Sequence, residues 1–137
     1  MTTGDLIAKI EARYSLPSAY GLCMRFMLAS LVTIEPIFSP TARRAFDVAG
    51  MYWAGQATEN ELEAARVECW QSLDSIGATT NLVEPVHCAT RAVICVTYSS
   101  PPSEDIVEIL EWFASVVHLA GCPESQVEKL LQSTFEI

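Results

Sequence analysis

The sequence predicts an all-α, single-domain bundle of about six to seven helices, and three observations carry that expectation. Glycines and prolines divide the 137-residue chain into segments of helical length. Apolar residues within those segments recur at intervals of three and four, the spacing that lines one face of a helix. Hydrophobic residues make up 50% of the chain and charged residues 18%, which excludes intrinsic disorder and supplies enough apolar surface for one well-filled core.

The first helix is expected from Asp5 to Tyr14, with Leu6, Ile7 and Ile10 inward and Asp5 four residues before Lys9, the favourable order for an ion pair. A second, from Ser18 to Thr33, is apolar almost all round (Leu22, Cys23, Phe26, Met27, Leu31), as a helix surrounded by others must be. The stretch Leu16 to Ile34 approaches a membrane span in hydrophobicity. Arg25 would sit near its centre at a cost of a few kcal/mol, however, so a buried core helix is the reading. Ser39 followed by Pro40 marks the next start, a cap with proline at the first helical position. Ala42, Ala45, Phe46, Ala49 and Trp53 form its apolar stripe, and Gly55 is placed to end it.

Thr58 and Glu61 form a capping box, in which a hydroxyl and a carboxylate reciprocally satisfy backbone donors at a helix start. Leu62, Ala65, Cys69, Leu73 and Ile76 follow at helical spacing until Gly77. The segment Asn81 to Tyr98 is ambiguous, because Ala92 to Val96 is an unbroken apolar run that a strand over 86–98 would also explain. Helix is preferred, since Pro85 suits a first turn and a lone strand would leave its backbone unbonded. Ser103 is expected to cap a long helix with Glu104 and Asp105 in its first turn and Ile106, Ile109, Leu110, Phe113, Val117 and Ala120 inward, closed by Gly121. Pro123 opens the last helix, with Val127, Leu130 and Leu131 on its apolar face.

The charge is strongly one-sided. Seventeen Asp and Glu against eight Lys and Arg give a formal net charge of -9. Such a surface repels phosphate, which argues against nucleic acid and anionic membranes as partners and favours a basic protein. Five cysteines at irregular spacing, with no recognisable signal segment before them, read as free thiols in a reducing cytoplasm.

Candidate chemistry is sparse. The two histidines are His87 and His118; His87 adjoins Cys88, with Cys95 seven residues on, but the paired short spacings of a structural zinc site are lacking and no metal is expected. Core packing is the simpler role for those cysteines. No phosphate loop, nucleophile elbow or zinc-protease helix is present, so neither cofactor nor catalysis is expected. The residues singled out are instead Glu59 and Glu63 at the start of one helix, and Glu104, Asp105, Glu108 and Glu111 along another. Helix dipoles and solvent exposure account for the positions of such acids, but not for their excess over basic residues. Trp112 lies at the edge of the acidic helix face, where an exposed indole would anchor a basic partner, whereas Trp53 and Trp70 fall on core stripes.

The run Trp53, Ala54, Gly55, Gln56, Ala57, Thr58, followed by Leu62, Glu63, Ala64, Ala65, Arg66 and Trp70, resembles a helix, glycine stop and capped helix found in small all-helical immunity proteins of bacterial polymorphic-toxin and contact-dependent inhibition systems. The resemblance implies a cytoplasmic antidote that binds the catalytic domain of a cognate toxin. An acidic decoy seated in the basic cleft of a nuclease would need no chemistry of its own. Two alternatives stand beside it: a small enzyme or ligand sensor with a pocket containing Cys88, His87 or His118, and a helical subunit of a larger assembly, a homodimer included.

Overall fold

Seven α-helices and one 3-10 turn make up the regular structure among the described residues, 1–79 and 82–137 of the computed structural model. Asn81, the expected start of the fifth segment, lies outside them. The elements are α1 (Thr3–Arg13), α2 (Tyr20–Val32), the 3-10 turn (Glu35–Ile37), α3 (Pro40–Trp53), α4 (Glu59–Ser75), α5 (Pro85–Ile94), α6 (Ile106–Leu119) and α7 (Glu124–Phe135). The fold is all-α. The ambiguous run is helical through Ile94 and then turns, because Cys95, Val96 and Thr97 bond to carbonyls only three residues back and tighten the helix end.

Two helix pairs form the outer layers, α3 with α4 and α1 with α7, while α2, α5 and α6 pack between them. The expected all-round burial of α2 holds only in part: Cys23, Met24, Phe26, Met27 and Leu31 are buried, but Gly21, Arg25 and Val32 lie on an exposed face, Val32 at 55%, so one side of the helix meets solvent. Phe26 meets Phe113 of α6 edge to face at 5.6 Å, and the Tyr14 hydroxyl donates to the Phe135 carbonyl at 3.0 Å, tying α1 to α7. Of the residues expected inward, Leu22, Phe46, Trp53 and Leu130 are only half-buried.

Local chemistry fixes most boundaries. Ser39 Oγ accepts from the Ala42 N–H at 3.1 Å with Pro40 leading α3, and Gly55, Gly77 and Gly121 take positive φ after α3, α4 and α6. At Thr58 both arms of the capping box form at 3.1 Å. Thr58→Ala is therefore expected to lower the unfolding free energy by about 1 kcal/mol in urea titrations, and no measurable change would mean that this box contributes nothing.

Three expectations are corrected. Asp5 does not pair with Lys9. It serves as the third residue of an α1 capping box begun by Thr2, accepting from the Thr2 N–H at 3.1 Å, and that bond holds its carboxyl below the ordinary range. Ser103 is not the cap of α6 and Glu104 precedes the helix, because the Asp105 carboxylate reaches the Val107 N–H at 2.9 Å and takes the cap itself. Ser103 instead accepts from the Asp105 N–H and donates to Glu108. Ile76 is 55% exposed, since α4 ends at Ser75 and the stripe stops with it.

Candidate functional site

The acidic residues picked from the sequence all lie on the surface, but they do not form one patch. On α6, successive turns place Glu108, Glu111 and Trp112 outward, opposite buried Ile109, Leu110 and Phe113. Trp112 is 45% exposed. Glu108 and Trp112 border a cavity of about 290 Å³ shared with α5, whereas Glu111 borders a different groove of about 350 Å³ between α1, α6 and α7. Glu104 and Asp105 face a third depression with Tyr14, Leu16 and Ile106.

Glu59 and Glu63 of α4 meet the loop between α5 and α6, where Ser99 Oγ donates to Glu59 at 2.6 Å. Tyr98 of that loop lines both this depression and the α5–α6 cavity. The fold thus brings Glu59 and Glu63 to one side of Tyr98 and Glu108 with Trp112 to the other. Only two ion pairs form among the described residues, Arg43 with Glu35 at 3.3 Å and Arg44 with Glu68 at 3.6 Å, and neither involves a chosen carboxylate.

Two arginines to which the sequence reading gave no part in binding sit within this region. Arg66 of α4 donates to the Thr97 carbonyl at 2.6 Å and lies 4.5 Å over the Tyr98 ring. Arg91 of α5 is held between two indoles, 4.7 Å from the Trp70 ring and 5.1 Å from that of Trp112. Cation–π contacts of this kind orient both partners and are worth about 0.5–2 kcal/mol each. Arg91, Trp70 and Trp112 lie 21 residues apart in succession on three helices, and no local periodicity relates them. The conspicuous signal was composition alone, six arginines in a chain with three tryptophans.

The histidines and cysteines are dispersed. His118 Nδ1 lies 2.9 Å from the Cys122 carbonyl; a carbonyl only accepts, so this nitrogen carries the proton. Cys88 is fully enclosed, whereas Cys95 at the end of α5 opens on the cavity beside Arg91. Burial pushes Cys23 and Cys69 up to about 12 and Cys95 to about 11, and raises Cys88 as well. At neutral pH these four sulfurs are therefore protonated and poorly nucleophilic. Among the described residues no group of three His, Cys, Asp or Glu is placed to hold a metal ion, and no helix is long and apolar enough to cross a membrane. Comparison with known protein families, with curated proteins and with solved structures returns no match for this chain.

Proposed function

We propose that the protein acts by occupying the surface of a basic protein, and that its specific role is that of an immunity protein that neutralises a cognate bacterial toxin domain by stoichiometric occlusion. The observation that carries this reading is Trp112, 45% exposed on a helix whose outer face also bears Glu108 and Glu111. A large ring flanked by Glu108 and Glu111, with the Arg91 guanidinium 5.1 Å from it, offers a desolvating anchor beside carboxylates that attract cations. The net charge of -9 extends that field over the molecule and steers basic partners toward it. The likeness of the Trp53 to Trp70 segment to immunity proteins supports a toxin as the partner.

Affinity capture at low salt from cells of the source species is expected to recover one basic protein in equimolar amount, and co-expression should relieve that protein's toxicity. Reversing Glu104, Glu108 and Glu111 to Lys is expected to slow association with it by roughly tenfold or more at low ionic strength, and added salt should slow the parent similarly. Trp112→Ala should act on dissociation, speeding it by about thirtyfold. Failure to recover any stoichiometric basic partner overturns the reading. An association rate insensitive to charge reversal overturns this choice of face.

A further inference from the structure

Arg43, Arg66 and Arg91 are half-buried, and the first two have oxygen acceptors, from Glu35 and from the Thr97 carbonyl. Arg91 has none among the described residues: its guanidinium reaches only the Cys95 sulfur, at 3.9 Å, and no carboxylate lies within ion-pair distance. Sulfur is a weak acceptor, and stacking on Trp70 and Trp112 occupies the faces of the guanidinium rather than its N–H edge. No Arg91 nitrogen is among the buried polar atoms that lack a partner, so its N–H edge is open to the cavity and able to meet an external acceptor there. Glu108 borders the same cavity, held by the Ser103 hydroxyl at 2.9 Å, and does not pair with Arg91 either. One cavity thus presents a cation stacked on indoles and, at its rim, an anion that do not pair with each other, with Trp112 of α6 in the wall beside them.

We propose that this cavity binds a small zwitterion, an α-amino acid with an apolar side chain. Arg91 pairs with its carboxylate, Glu108 accepts from its ammonium, and Trp112 with Ile109 packs its side chain. A simple carboxylate would meet repulsion from Glu108 and a simple amine repulsion from Arg91, so a ligand carrying both charges is the one that satisfies both groups. The volume of about 290 Å³ stands at the small end for ligand sites, as suits a molecule of amino-acid size. This inference goes beyond the partner-binding reading and does not rest on it.

The test is titration of the full chain with L-phenylalanine and L-leucine, with 3-phenylpropionate and phenethylamine as single-charge controls, following the Trp112 indole resonance in proton–nitrogen correlation spectra. Both amino acids are expected to give saturable shifts, and each control should bind at least about tenfold more weakly than phenylalanine. Arg91→Gln and Glu108→Gln should each weaken phenylalanine by about tenfold or more, with Arg91→Lys recovering part of the loss. Glu108 is on the exposed rim, so its variant reports on the site even where Arg91→Gln unfolds. No saturable shift with either amino acid, or equal binding of 3-phenylpropionate, overturns the proposal.

Discussion

Raising the pH from 9 toward 11 should lower the urea midpoint of unfolding steeply, because burial holds Cys23 and Cys69 near 12 and Cys95 near 11 against an ordinary value of 9.0. Above pH 9 the thiols of the unfolded chain ionise while those of the native protein stay protonated. The unfolded state then binds fewer protons, and stability falls with rising pH. The contribution is complete below pH 9 and is lost as the pH climbs through the folded-state values. Cys23 and Cys69 each contribute a slope of about 1.4 kcal/mol per pH unit in that window, with a smaller share from half-buried Cys95. Burial raises the Tyr20 phenol too, adding to the loss at the upper end. Urea titrations at stepped pH measure the total slope, and Cys69→Ala should make it shallower by the contribution of one thiol. A midpoint that stays level across this range would mean that Cys23 and Cys69 are accessible to water in the native state.

Phe26→Ala is the second large effect. The ring has no exposed surface and meets Phe113 edge to face at 5.6 Å, so alanine removes its transfer energy, the aromatic contact and the packing of a closed interior together. A loss of about 4 kcal/mol is expected, a large part of the stability of an ordinary domain, with a fall of roughly 15 °C in Tm. Phe26→Leu, which refills most of the volume, should cost less than half as much. A loss below about 1 kcal/mol for alanine would show that the α2–α6 contact is not the packed centre of the bundle. Calorimetry and denaturant titration both read it.

What the chain declares locally is written in short spacings. Thr58 with Glu61, Ser39 with Pro40, and the glycines at 55, 77 and 121 each solve a backbone problem within a few residues, so the helix boundaries they set could be read directly. The start of α6 was less legible because Ser103 and Asp105 are both good caps two residues apart; Asp105 takes the cap, and Ser103 accepts from the Asp105 N–H just ahead of it. Ile76 misled because apolar spacing continues for one residue past the point where α4 stops. Periodicity put Glu108 and Glu111 on the solvent side of α6 with Trp112 at its edge, and all three are exposed, yet it carries no information about neighbours from other helices. Only tertiary packing decides that Glu108 borders one groove and Glu111 another, or that Arg91 sits between two indoles.

The pairing of α1 with α6 and α7 has a bearing on synthesis. Leu6, Ile7 and Ile10 emerge from the ribosome long before α6 and α7, the surfaces that will cover them, so the nascent chain carries an unsheltered apolar stripe until those helices follow. Chains cut between α1 and α7 should therefore yield sticky, protease-sensitive fragments rather than shorter working versions of the bundle.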